Sequence, residues 1–166
     1  MATLELYLIR HAVAANRGDR WPDDAKRPLT PGGMAKMRKA AKGLVKLGVE
    51  IDEILSSPLV RARQTADIVA EMLKAVPPIS VCDALAPAGT PAAVMQEIAK
   101  HARKGRLALV GHEPNISELA AQLIGTRTPI VFKKGSICRI DFDVLPPKGH
   151  GRLVWLATPK MLRRMA

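Results

Sequence analysis

A chain of 166 residues, 48% of them hydrophobic, fits one domain of ordinary size with a continuous buried core. No stretch reaches the roughly 18 to 20 consecutive apolar residues that a transmembrane helix requires, and the N-terminus lacks the layout of a signal peptide, so a cytoplasmic location is expected. The formal charge of +11, from 26 Lys and Arg against 15 Asp and Glu, calls for anionic partners. With only two Trp, one Tyr and two Phe to serve as stacking platforms, nucleic acid is not expected among them.

Leu4 to Ile9 is a short apolar run bounded by polar residues, the pattern of a buried strand, and it stops at Arg10-His11. The stretch through Pro28 is rich in Asp, Arg, Pro and Gly without periodicity and reads as a functional loop. Thr30-Pro31 then supplies an N-cap and a first-turn proline for a helix that runs to Gly48. Glu53 to Leu55 is a short strand. Ser57-Pro58 repeats the cap-plus-proline signal, and Leu59, Ala62, Ala66, Val69 and Leu73 mark one helical face, which puts Arg61 in the first turn. Ile79 to Val81 is a third strand, Thr90-Pro91 opens a third helix, and Leu107 to Val110 is a buried strand. That strand ends in Gly111-His112-Glu113-Pro114, where a fourth helix begins and continues to Gly125. Ser136 to Phe142 and Arg152 to Ala157 are two further strands. Cys82 and Cys138, in apolar runs and without ligand spacing, are expected in the core as small hydrophobes.

Basic residues concentrate between Arg20 and Lys46, where eight of them face only Asp23 and Asp24, and the tail adds Lys160, Arg163 and Arg164. A solvated helix face accounts for most such charges. Strands alternating with helices predict an α/β fold, a three-layer α/β/α sandwich with a mostly parallel central sheet and helices on both faces. Ligands of such sheets lie beyond the carboxyl ends of the strands. His11 follows the first strand, His112 the fourth, and Arg61 sits one loop past the second.

A lone histidine is more often structural than catalytic, and arginines in a basic protein are mostly surface charges. The placement of Arg10, His11, Arg61 and His112 together at strand ends and helix starts is different, because burying unpaired cations there is costly unless an anion joins them. A phosphoryl group suits planar arginine forks, and helix N-termini after Ser57 and His112 add partial positive charge.

Leu8-Ile9-Arg10-His11 resembles the Arg-His signature of the histidine phosphatase superfamily, which includes the phosphoglycerate mutases. Ser57 to Ala66 (SPLVRARQTA) resembles its second arginine motif and Val110-Gly111-His112 its second histidine motif, in the expected order. With Arg27-Pro28-Leu29-Thr30-Pro31-Gly32-Gly33 and the short length, the chain is most similar to the small SixA-type phosphohistidine phosphatases.

The resemblance implies a phosphoglycerate-mutase-like domain over residues 1–166 and hydrolysis through a covalent phosphohistidine on His11. It also implies that Arg10, Arg61 and His112 bind the phosphoryl oxygens, with no metal or cofactor. The implied partner is a phosphorylated protein, a phosphohistidine domain. A small phosphorylated metabolite is the alternative substrate, and a non-catalytic anion- or nucleic-acid-binding protein the alternative of another class. No membrane partner is implied.

Two departures stand out. Ala12 follows the nucleophile where the superfamily commonly has glycine. Pro87 stands where many members carry a glutamate proton donor. Asp83, Glu113 and the acids of the 19–24 loop are candidate substitutes that the sequence does not separate.

Overall fold

The computed structural model describes residues 3–166. Six strands form one sheet: β1 (Leu4–Arg10), β2 (Glu53–Ser56), β3 (Ile79–Val81), β4 (Arg106–Gly111), β5 (Ile137–Phe142) and β6 (Arg152–Ala157), in the order β3-β2-β4-β1-β5-β6. The first four in that order run parallel, β5 pairs antiparallel with β1, and β6 pairs antiparallel with β5. The five α-helices among the described residues are α1 (Pro31–Lys46), α2 (Val60–Met72), α3 (Pro91–His101), α4 (Asn115–Ile124) and α5 (Pro159–Met165).

Alternation along the strands distributes the two cores. Tyr7 and Ile9, with Ala108 and Val110, face a layer containing Met37 and Leu44 of α1, Ala62 and Val69 of α2 and Leu162 of α5. Leu6, Leu8, Leu107 and Leu109 face the opposite layer, with Ile98 of α3 and Leu119 of α4. The expected three-layer arrangement is therefore present. Cys82 and Cys138 lie in the second layer as buried free thiols, as anticipated.

The sheet order also locates the site. The helix after β1 covers one face and the helix after its neighbour β4 covers the other, so a crevice opens where the chain leaves these two strands. Register fixes the edge: Arg10 pairs with Gly111 and Ser56 with Val110, and the next residues continue the ladder through His11 N to Gly111 O at 3.1 Å and Ser57 N to Val110 O at 3.0 Å. His112 therefore emerges between the ends of β1 and β2.

Helix α1 begins as the sequence predicts, with Thr30 Oγ1 accepting from Gly33 N at 2.9 Å and Pro31 in the first turn. Two starts differ from the sequence pattern. Helix α2 starts at Val60 with Leu59 as its cap, while Ser57 Oγ accepts from Leu59 N at 3.3 Å and also meets His112. Helix α4 starts at Asn115, two residues past Glu113. Helix α5 is an addition to the predicted elements, although Thr158-Pro159 carries the same signal and Thr158 Oγ1 accepts from Met161 N. It packs so closely on α1 that a Cβ at Gly43 would lie 2.1 Å from the Leu162 carbonyl oxygen, so only glycine fits there. Among the described residues no helix is long and apolar enough to cross a membrane.

Candidate active site

Arg10, His11, Arg61 and His112 line a single cleft of about 340 Å³ at the carboxyl edge of the sheet. The four residues singled out by sequence are therefore brought together. His11 is buried, and its Nδ1 lies 2.7 Å from the carbonyl oxygen of Ala12. A carbonyl can only accept, so Nδ1 carries the ring proton and Nε2 keeps its lone pair. The backbone after it is tied to α2 through Thr65, whose Oγ1 accepts from Ala12 N at 3.0 Å and donates to Arg61 O at 2.8 Å. Ala12, in place of the commoner glycine, is buried at this junction.

His112 is also buried, its ring centroid 5.1 Å from that of His11. Its Nε2 lies 2.7 Å from Ser57 Oγ, which itself accepts from Leu59 N at 3.3 Å. A serine hydroxyl that donates to Nε2 leaves the His112 ring proton on Nδ1, the tautomer able to donate to an oxyanion. By sequence Ser57 is a helix cap; the structure gives it a different role as the residue that orients His112.

The arginines are anchored from behind. Arg10 Nη1 donates to Phe132 O at 2.6 Å. Arg61 donates through Nη1 to the Asp24 carbonyl at 2.9 Å and through Nη2 to Asp24 Oδ2 at 3.0 Å. Four buried side-chain polar atoms among the described residues have no hydrogen-bond partner: Arg10 Nε, Arg61 Nε, His112 Nδ1 and Ser136 Oγ. Three belong to the four residues singled out, and uncompensated donors of this kind are costly. An anion with several acceptor oxygens matches that need, and a phosphoryl group has both the charge and the lone pairs.

Sequence reasoning misses Arg27, which falls in a basic run that reads as solvated. Arg27 is buried, lines the cleft, and donates through Nε to Asp24 Oδ1 at 3.0 Å and through Nη1 to Ala15 O at 2.8 Å. The signal that could have found it is the Arg27-Pro28-Leu29-Thr30 motif. The candidate proton donors separate. Asp19, Asp23 and Asp83 are exposed and outside the cleft lining. Burial pushes the Asp24 carboxyl up, but hydrogen bonds and charge from Arg27 and Arg61 outweigh it and hold the group below the ordinary carboxylate range. Asp24 therefore stays ionised. Glu113 lines the cleft, with its carboxylate accepting from Ser117 N at 3.0 Å and from the Ser117 hydroxyl. Pro87 lines the cleft as well.

Burial, reinforced by the charges of Arg61 and Arg10, lowers the His11 pKa to about 4 despite the opposing contact with the Ala12 carbonyl. Burial and the proximity of His11 and Arg61 lower His112 to about 3. Both imidazoles are thus neutral near pH 7, and each binds its proton in the unfolded chain before it does so in the folded one. Between about 6.5 and about 4 the unfolded state therefore holds more protons, so stability should fall as pH falls through this window and be insensitive to these groups above it. Imidazole resonances followed by NMR should show neither His11 nor His112 titrating between pH 8 and pH 5; a midpoint near 6.5 for either would contradict this placement.

Residues 6–86 match the family described as Histidine phosphatase superfamily (branch 1). Along its length the chain is 35% identical to an uncharacterized protein of Picosynechococcus sp. (strain PCC 7002), over 96% of this chain and 99% of that protein. It is 28% identical to the phosphohistidine phosphatase SixA of Escherichia coli (strain K12), over 96% of this chain and 97% of that protein. Among solved structures, the protein histidine phosphatase SixA complexed with tungstate superposes with a TM-score of 0.83 at 28% identity, covering 95% of this chain and 98% of that one. The fold and the edge-of-sheet histidine and arginine constellation define a phosphoglycerate-mutase-like α/β protein. The chain belongs to the histidine phosphatase superfamily and is similar to its SixA-type members.

Proposed function

We propose that this chain is a cytoplasmic phosphohistidine phosphatase whose single domain spans the whole chain. In the proposed reaction the Nε2 lone pair of His11 attacks phosphorus. An N–P bond forms as the bond to the leaving group breaks, and the leaving imidazole departs neutral after protonation at its distal nitrogen. Water then attacks the phosphohistidine on His11, the N–P bond electrons return to Nε2, and inorganic phosphate leaves. Arg10, Arg61 and His112, joined by Arg27, hold the phosphoryl oxygens as charge develops. The three arginines supply the charge that magnesium supplies elsewhere, so chelation should leave turnover unchanged.

The reading is carried by one observation, the three unpartnered buried nitrogens of residues lining one cleft with a neutral His11. The tungstate held by the SixA structure, an oxyanion of phosphate shape, supports it. The cleft also favours phosphohistidine over an ester, because Pro87 lines it in place of an acid and Glu113 is committed to Ser117. Side-by-side kcat/KM values for a phosphohistidine domain and for serine and sugar phosphates test the assignment. The phosphohistidine domain should be turned over at least about 10²-fold more efficiently. Comparable efficiency on a sugar phosphate would favour the small-metabolite alternative.

A further inference from the structure

We infer that the positive band formed by α1 and α5, which joins the cleft at Lys134, is a docking surface for an acidic face of the phosphorylated protein substrate. The inference rests on the function proposed above. Helix α1 carries Lys36, Arg38, Lys39, Lys42 and Lys46, and α5 carries Lys160, Arg163 and Arg164. Neither helix contains an acidic residue. The side chains of the band are exposed or half-buried, and none forms a salt bridge among the described residues.

Among the described residues elsewhere, several cations are paired, although others, including Lys74, Arg103, Lys104, Arg127 and Lys148, are not. Arg63 meets Asp67, Lys100 meets Glu97, Arg106 meets Glu50 and Asp52, Arg139 meets Glu5 and Asp141, and Arg152 meets Asp143. Like charges one helical turn apart, as at Arg38 and Lys42 or Lys42 and Lys46, destabilise a helix. A face kept only for solubility would be expected to intersperse acids and lower that repulsion. A partner of opposite charge gives the arrangement a use.

Geometry connects the band to the chemistry. Lys134 lines the cleft and also a second depression of about 30 Å³ that it shares with Lys36 and Arg163. Beyond these, Arg38, Lys39 and Lys42 border a groove of about 590 Å³ floored by Ala35, Met72 and Ala166. The close approach at Gly43 fixes α1 against α5, so the band is one surface. Exposed Met161 and Met165 lie among the cations of α5. Neither helix carries an aromatic residue on which a base could stack. Apolar contacts within a charged rim, continuous with the catalytic cleft, favour a protein partner over nucleic acid.

The test uses the full chain with the substitutions Lys39→Glu, Lys42→Glu and Arg164→Glu combined, and a second variant with glutamine at the same positions. An acidic phosphohistidine domain and 4-nitrophenyl phosphate are assayed at low and high ionic strength. At low ionic strength the charge-reversed variant should lose about 10-fold or more in kcat/KM on the domain, the glutamine variant less. Both should hydrolyse the aryl phosphate as the parent does, and the gap on the domain should close at high salt. Equal efficiency on the domain at low salt would overturn the inference, as would loss confined to binding of a labelled DNA duplex. A parallel loss of aryl phosphate hydrolysis in the glutamine variant would overturn it too. If the parent hydrolyses the aryl phosphate but not the phosphohistidine domain, the proposed substrate fails and the docking role with it.

Discussion

Replacing His11 by alanine is expected to lower turnover of any phosphorylated substrate by about 10⁴-fold or more, the scale of losing a covalent nucleophile. Burial and the surrounding cations keep the imidazole neutral, and the Ala12 carbonyl fixes its proton on Nδ1, so the unshared pair on Nε2 is ready at neutral pH. No second side chain in the cleft offers the same combination. His112 has its Nε2 occupied by Ser57, and a His112 proton on Nδ1 makes it a donor to oxygen. The His11→Ala variant keeps Arg10, Arg27 and Arg61, so it should still bind tungstate or phosphate while failing to turn over. Rapid quench of the parent with labelled substrate should trap protein-bound label that acid releases and base does not. Near-parental turnover by the variant, or label that survives in it, would remove His11 from the mechanism. Arg61→Ala should cost less, about 10²- to 10³-fold, as for one preorganised charge-stabilising donor.

Residues whose role follows from local chain position are legible in the sequence alone. Arg10 and His11 terminate an apolar run that has the pattern of a buried strand, and Arg61 falls in the first turn of an amphipathic helix with a clear start signal. The neighbourhood of these residues depends on pairing that no local pattern contains. That β4 inserts between β1 and β2 is a long-range choice, and it alone brings His112 beside His11. Arg27 is hidden for the same reason. It stands in a run of cations, and only the folding of its loop over the cleft, bridged at Ala14 and Leu29, buries it against Asp24 and Ala15. Ser57 shows how a local signal can mislead. A serine before a proline reads as a cap, and its hydroxyl does accept from Leu59 N, but the helix begins only at Val60 and the same hydroxyl also meets a buried histidine nitrogen that no local pattern reveals. Helix α5 carries a cap signal as clear as that of α1, yet seven residues of basic tail offer too little apolar periodicity to reveal it.

The efficiency of the enzyme should depend steeply on the leaving group, with aryl phosphates hydrolysed about 10²- to 10⁴-fold faster than alkyl phosphates of similar size, the usual value of general acid help. An alkoxide expelled at neutral pH must take a proton or a nearly full charge. The side chains that could supply the proton are poorly suited to it. Pro87 has no acidic group, Asp24 is kept ionised by Arg27 and Arg61, and the Glu113 carboxylate faces Ser117. A phenolate leaves without help, and a phosphohistidine imidazole is protonated on its distal nitrogen before the P–N bond breaks, so both escape the requirement. Plotting log kcat/KM against leaving-group pKa for a series of substituted aryl and alkyl phosphates should give a steep negative slope. Pro87→Glu, which puts a carboxyl at the cleft, should flatten that slope by raising alkyl ester hydrolysis while leaving the aryl phosphates nearly unchanged. A shallow slope in the parent protein would mean that Glu113 or an ordered water already donates the proton, and any preference for phosphohistidine would then have to come from docking of the partner rather than from chemistry at the leaving atom.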